Sequence, residues 1–556
     1  MPKITIDGQE VEAEAGTTVI RAARDAGIHI PHYCWHPRLS VAGNCRMCLV
    51  EVEGVPKLLT SCTTEIRDGM VVNTKNDTVK QAQRGVLEFL LLNHPLDCPI
   101  CDKAGECKLQ DQYFKYSAED SRLETRKVHK PKNLDIGKHI VLDQERCVLC
   151  TRCVRFMDEV AHEPVLGIIE RGDTSKLTVF PEKGLNNRYS LNTTDICPVG
   201  ALTSKEFRFK KRVWFLNHEQ SVCPNCSTGC PVILDHEDRK LYRMMPGQKD
   251  GEQAWLCDPG RLGFGFVHEN DRPRAPLMRN SDGKLEPRTW EAAIKDVTRQ
   301  MSDFVSKFGK NAVAGIYSNW SSNEEIFAFT HLITQTLGAN LITSHNPRIG
   351  LVNSGPADEL QIKEDKCPNS RGADVIGKSR PGGLSDFHQI IQDAHAGKIK
   401  AMWILDPDFM GRIPDKSGQK RIREALKKVK FLVIQAPLER EANSLANAIL
   451  PCGTWAESEG TFVNEEGRIQ YFKAAFPPVG QGKPSLEIIR LAATATGKPL
   501  PYATPYDTFR TLAGVVPEFK GLDYSDLMPE GALLGSGQTV AVPVTESAED
   551  AVASPA

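Results

Sequence analysis

Within residues 3–22, apolar and polar residues alternate around Asp7-Gly8. A period of two predicts strands, and Asp-Gly is a favoured two-residue hairpin turn. Thr18 to about Ala26 then reads as a helix, closed by Gly27 in a left-handed C-terminal position. Residues 78–93 predict a longer helix with Val79, Ala82, Val86, Phe89 and Leu90 on its apolar face. Pro95 stops that helix and leaves His94 just past its end. Residues 119–146 are charged and expected to be extended, and a second strand-rich segment follows, leaving through the basic run 205–212. Beyond Cys257 the texture changes. Short apolar runs at 311–318, 400–406 and 430–436 alternate with helical stretches at Glu324–Leu337 and Arg421–Lys428, the pattern of βαβ units around a parallel sheet. From about Gly531 the chain is rich in Ala, Gly, Ser, Pro and Val without Lys or Arg, and is expected to be disordered.

Charge narrows the function classes. Lys plus Arg number 69 against 71 Asp plus Glu, so the strongly basic footprint of a nucleic-acid binder is missing. The opening MPKITIDGQE has no apolar core of a secretory signal, and the greasiest stretch, Val86–Leu92, is broken by Glu88 and far too short to span a bilayer. A chain on the cytosolic side is the expectation. The decisive count is 17 cysteines, 15 of them before residue 258. In a reducing compartment such a concentration points to metal sites or catalysis, not to a disulfide framework.

The cysteines fall into four sets. Cys34, Cys45, Cys48 and Cys62 are spaced C-x10-C-x2-C-x13-C, close to the plant-type [2Fe–2S] pattern but with a longer first gap. Gly43 before the close pair would let backbone N–H groups turn towards the sulfurs. A zinc knuckle is the alternative, though structural zinc usually takes two close pairs and this set has one. His94, Cys98, Cys101 and Cys107 form the second set, in which His94 could fill the corner left open by three cysteines. A neutral imidazole in place of a thiolate removes a negative charge and should raise the reduction potential. In the third set, Cys147-x2-Cys150-x2-Cys153 is three quarters of the bacterial ferredoxin run, with Met157 in the fourth place. Cys197-Pro198 supplies the missing ending, while Asn187, Ser190 and Thr193 stand where a second run would carry cysteines. One complete [4Fe–4S] site and one lost site result. Cys223, Cys226, Cys230 and Cys257 make the fourth set, again three close and one remote, suiting a [4Fe–4S] cluster. Cys367 and Cys452 remain, read as small buried residues.

No glycine-rich phosphate cradle appears. Gly263-Phe264-Gly265 runs on into Phe266-Val267-His268 without the third glycine, and no G-x-x-x-x-G-K-[ST] occurs. No nucleophile motif is recognisable either, so no catalytic residue is assigned.

The local words HPLDCPICDKAGECKLQD (94–111), ERCVLCTRCVRF (145–156) and CPVGAL (197–202), in this order after the first set, resemble the large iron–sulfur subunit family of respiratory complex I, the G subunits of bacterial NADH-quinone oxidoreductases. The likeness covers about residues 1–270. ILPCGTWAESEGTFVNEEGRIQ (449–470) is similar to the molybdopterin oxidoreductase fold. Together they imply a multi-domain α+β and α/β chain: a β-grasp 2Fe–2S ferredoxin (1–78), a one-His three-Cys 4Fe–4S module (79–118), a 4Fe–4S ferredoxin-like module (119–214), a 4Fe–4S Mo/W oxidoreductase-type domain (215–271), a truncated molybdopterin oxidoreductase-like α/β domain (272–480) and a C-terminal extension (481–556). The resemblance implies one [2Fe–2S] and three [4Fe–4S] clusters and electron relay from a flavin-bearing NADH-oxidising partner towards quinone-proximal iron–sulfur subunits. It also implies a peripheral place on the cytoplasmic face of the inner membrane, reached only through partners. No molybdopterin is expected: Cys257-Asp258-Pro259-Gly260 lacks the Lys that catalytic relatives carry after the fourth cysteine, and only 299 residues follow Cys257. Ser344, in Ile342–Pro347, stands where some formate dehydrogenases place their molybdenum ligand, which keeps a formate dehydrogenase catalytic subunit as the alternative. The iron–sulfur subunit of a hydrogenase, sharing the first three sets, is another.

Overall fold

A computed structural model describes residues 1–117, 120–249, 252–345, 356–405, 416–527 and 531–535. They belong to two compact units, one ending at Leu216 and the other beginning at Asn217. Among the described residues no helix is long and apolar enough to cross a membrane.

The first unit opens with the expected hairpin. β1 (Lys3–Ile6) and β2 (Gln9–Glu12) are joined by Asp7 and Gly8, both at positive φ (48° and 88°), as a tight right-twisted turn requires. α1 (Val19–Asp25) follows and ends before Gly27, at φ 75°. With β3 (Leu49–Val52), β4 (Leu59–Thr60) and β5 (Val71–Asn73) the hairpin makes a sheet of order β2-β1-β5-β3-β4, whose core includes Ile4, Ile6, Ile20, Val50 and Val72. α2 (Asp77–Leu92) starts at Asn76, whose side chain accepts a hydrogen bond from the Val79 N–H. Its buried stripe corrects the predicted one. Val79, Gln83 and Leu87 face inward, while Phe89 is 79% exposed. Gln83 donates to the Leu49 carbonyl of β3, so a polar residue takes a core position that an apolar pattern passes over.

α3 (Lys108–Tyr116) leaves the second cysteine set directly. Residues 120–133 carry neither helix nor strand and lead into β6 (Leu134–Asp135) and β7 (Ile140–Leu142). α4 (Arg152–Glu159), the hairpin β8 (Leu166–Ile169) and β9 (Lys176–Val179), α5 (Asn192–Ile196) and β10 (Leu202–Ser204) complete the unit, with β7 between β10 and β6.

The second unit starts with the antiparallel meander β11 (Asn217–Val222), β12 (Pro231–Glu237) and β13 (Lys240–Pro246), then the short hairpin β14 (Gln248–Lys249) and β15 (Glu252–Gln253), then α6 (Asp258–Leu262). β16 (Leu277–Arg279) and β17 (Leu285–Pro287) are the antiparallel edge of a seven-stranded sheet. Its parallel strands are β18 (Val313–Ser318), β19 (Leu341–His345), β20 (Ala401–Leu405), β21 (Phe431–Ala436) and β22 (Ala448–Pro451), in the order β17-β16-β22-β21-β20-β18-β19. Every residue of β18, β20 and β21 is buried, which is why these strands read as unbroken apolar runs. Helices cover both faces. α7 (Trp290–Phe308), α8 (Asn323–His331), α9 (Ser370–Ser379), α12 (Ser485–Ala495) and α13 (Pro505–Val515) share one core with Val313 and Tyr317; α10 (Phe387–His395) and α11 (Lys416–Leu426) share the other with Ala314 and Ile316.

Two expectations change here. Residues 481–527 are not an appendage, since Leu486, Ile488, Phe509 and Leu512 are buried in the same core as β18. Ala532–Leu533 is a strand, β25, that extends β23 (Gly460–Val463) and β24 (Arg468–Phe472), so disorder does not begin at 531. Two backbone pairings outweigh its loop-like composition. The remainder of that tail, from 536, lies outside the described residues.

Candidate metal centres

The first set sits on a loop folded against the β-grasp core. Cys34, Cys48 and Cys62 are buried and Cys45 is half-buried. Cys34 touches Cys45 and Cys62 through hydrogen bonds between thiols, and Cys62 likewise touches Cys48. The thiols of Cys45 and Cys62 pull the Cys34 proton affinity down, while the Cys62 thiol is pushed up in return. Gly43 adopts φ 63°, and the N–H groups of Asn44 and Cys45 then aim at the Cys34 sulfur. That is the arrangement its glycine suggested.

In the second set, His94 is half-buried just beyond α2, its own N–H bonded to the Leu91 carbonyl at 3.1 Å. Burial, then the charges of Arg146 and Lys127, push its imidazole down to about 4, so it is neutral at pH 7, the form that can donate a lone pair to a metal. Cys101 and Cys107 are buried and Cys98 is exposed. Arg146 also faces Cys101, so one guanidinium neighbours both the imidazole and a thiol of the set, and it is fixed by Asp97 at 2.8 Å and Asp143 at 3.2 Å. Gly200, from the third set's loop, passes so close that a Cβ there would lie 2.2 Å from the Cys101 sulfur.

The third set is the clearest. Cys147, Cys150, Cys153 and Cys197 line one small void together with Ile168, Leu177 and Leu202. Leu149 adopts φ 52° and sends its N–H to the Cys147 sulfur at 3.4 Å. Burial pushes the Cys147 thiol up to about 12 and Cys150 to about 11, and Cys153 is driven up as well. Thiolates are stable in such a place only against a compensating positive core. Ser190 and Thr193, at the positions where a second run would carry cysteines, are fully buried, and the Thr193 hydroxyl donates to the Ser190 carbonyl at 2.7 Å.

In the fourth set, all four cysteines are buried at the end of the β11–β13 meander. The Cys223 N–H donates to the Cys230 carbonyl at 2.9 Å, and the Gly260 N–H donates to the Cys257 sulfur at 3.3 Å. A Cβ on Gly260 would stand 2.9 Å from the Cys257 sulfur and 3.4 Å from that of Cys223, which places both sulfurs around one backbone position. Among the described residues no three His, Cys, Asp or Glu side chains gather as they would around a single metal ion.

Sequence reasoning did not find the cavity of about 360 Å³ in the second unit, lined by Asn225, Trp320, Glu325, Gln435 and Cys452 among others. It opens beyond the carboxyl ends of β18, β20 and β21, where the chain order reverses, and that fold rule was the only available signal. Cys367 and Cys452 are both buried, as read. Ser344, on β19, pairs in register with Tyr317 of β18 and is not among the residues lining this cavity; Asn346 and Pro347 lie outside the described residues.

Each set lies inside a recognised domain family. Residues 2–77 match the 2Fe-2S iron-sulfur cluster binding domain, 83–122 the NADH-ubiquinone oxidoreductase-G iron-sulfur binding region, and 137–203 the ferredoxin-like domain of NADH-quinone oxidoreductase subunit 3. Residues 217–269 match the molybdopterin oxidoreductase Fe4S4 domain, and 272–362 with 372–494 match molybdopterin oxidoreductase. The chain is 39% identical to the NADH-quinone oxidoreductase G subunit of Rickettsia bellii, over 88% of this chain and 86% of that protein. It is 29% identical to the mitochondrial 78 kDa subunit of NADH-ubiquinone oxidoreductase of Candida albicans, over 93% of this chain and 85% of that one. With the G subunit of Streptomyces coelicolor the identity is 46% over 52% of this chain, and the match spans only 35% of that longer relative. Four iron–sulfur modules in this order, and a relative matched along nearly its whole length, place the chain in the family of NADH-quinone oxidoreductase G subunits.

Proposed function

We propose that the four sets hold one [2Fe–2S] and three [4Fe–4S] clusters, and that the chain relays electrons from a flavin-bearing NADH-oxidising partner towards quinone-proximal iron–sulfur subunits. The observation that carries this is the void lined by Cys147, Cys150, Cys153 and Cys197, the last remote in sequence from the other three yet sharing their space. Bound clusters would supply reversible one-electron transfer without making or breaking bonds to a substrate. The chain's own part is to hold and tune. Fifteen thiols and the neutral imidazole of His94 serve as ligands, and N–H groups of Asn44, Leu149 and Gly260 aim at sulfurs. Those donors favour added negative charge, and burial excludes water. The second unit acts as scaffold, with the fourth cluster off the main path and no molybdopterin in the cavity.

Freeze-quenching the assembled complex after mixing with NADH tests this. First- and third-set signals in electron paramagnetic resonance should appear within one turnover. Reduction by formate with stoichiometric molybdenum would overturn the relay reading in favour of a catalytic one.

A further inference from the structure

α4 begins inside the third ligand set and lays a stripe of three side chains, at positions 152, 155 and 159, against the loop that carries Cys34. This i, i+3, i+7 spacing puts them on one face. The Arg152 guanidinium donates to the carbonyl of Trp35, beside Cys34, and at 3.2 Å to the carbonyl of Ile196, beside Cys197. Arg155 donates to the carbonyl of Cys34 itself and, at 3.3 Å, to the carbonyl of Cys150. A second Arg155 nitrogen holds the Ser40 carbonyl, and Glu159 accepts from the Ser40 N–H at 2.8 Å. Asn44 adds a further tie, donating to the Leu149 carbonyl at 3.1 Å. Each arginine therefore grips one residue of the first set or its neighbour and one of the third set or its neighbour.

Their charge has no ordinary partner in these contacts. Arg152 is 2% exposed, its acceptors are neutral carbonyls, and its Nε is without an acceptor among the described residues. The groups facing it that can carry negative charge are the sulfurs of Cys150, Cys197 and Cys34. A buried guanidinium cannot shed its proton and is costly unless paired. It is paired when those sulfurs are thiolates, which is the metal-bound state. We propose that Arg152 and Arg155 are positioning residues that lock the first and third ligand sets face to face and raise the affinity of both for an electron. This rests on the relay reading above.

The test is a redox titration of the iron-loaded full-length chain, followed by electron paramagnetic resonance, for wild type, Arg155→Gln and Arg155→Lys. Arg155 is only half-buried, so both variants should fold. Arg155→Gln should shift the first-set and third-set midpoints together to lower potential and leave the fourth set unmoved, and Arg155→Lys should recover most of the shift. Unmoved midpoints, a shift of one set alone, or equal shifts in both variants would contradict the assignment. Iron analysis of the same samples separates the two claims. Full iron with unmoved midpoints sinks the arginine role alone, whereas wild-type protein that never takes up iron sinks the relay reading as well.

Discussion

Gly200 illustrates how one missing side chain can serve two sites. It follows Cys197-Pro198, and its backbone passes the Cys101 sulfur at a distance that no Cβ tolerates. The Lys108 N–H, next to Cys107, donates to the Pro198 carbonyl at 3.0 Å, so the third set's exit loop and the second set are pinned at that point. Gly200→Ala should displace the Cys101 sulfur and cost about 1–3 kcal/mol, in the range of core overpacking. Thermal melting should record that loss, and the reduced protein should lose the second set's spectral signal while keeping the fourth. A variant with full stability and all signals intact would show the contact to be soft. At this scale the candidate ligand sets were legible because their spacing is local, and Cys197 joined the third set because a Cys-Pro ending was missing elsewhere. Gly200 and the two arginines were not, since their contacts join segments far apart in sequence.

Among the elements, α8 carries an unusual load. Ser322 and Glu325 form a reciprocal cap at its start, and Glu324 accepts from the Thr461 N–H and hydroxyl, both at 2.8 Å, and from the Tyr524 hydroxyl at 2.9 Å. Burial nonetheless pushes both carboxyls up to about 7. Between the ordinary value of 4.5 and about 7, the folded chain keeps protons that the unfolded chain releases. Stability of the second unit should therefore fall as pH rises through that window and level off above it. Glu324→Gln removes one of these titrations, so its melting temperature should drop less than wild type's between about pH 5 and 7.5. Parallel profiles would remove Glu324 from this account. The helix itself was legible from its apolar period, but its last turn widens into a π-type turn at Leu332–Thr336 that the period does not encode. α2 shows the opposite limit. Its existence and ends were legible, while its facing was not, because Gln83 is buried by a hydrogen bond and Phe89 is left outside.

For the whole chain, the sequence divided cleanly into a cysteine-rich front and an α/β rear, and the parallel order of β18 to β22 follows from runs apolar enough to be buried on both faces. The extent of the rear body was underestimated because α12 and α13 are amphipathic helices whose partners lie nearly 200 residues earlier. The cavity at the switch point was invisible for a similar reason: its walls come from several separate stretches of chain. The claim on which everything else depends is that the thiols enclose polynuclear iron. Iron and acid-labile sulfide should be counted together on the full-length protein and on Cys197→Ser. The expected result is about fourteen irons per chain with matching sulfide, and about four fewer in the variant. Zinc in place of iron, or an iron content that Cys197→Ser leaves unchanged, would contradict it.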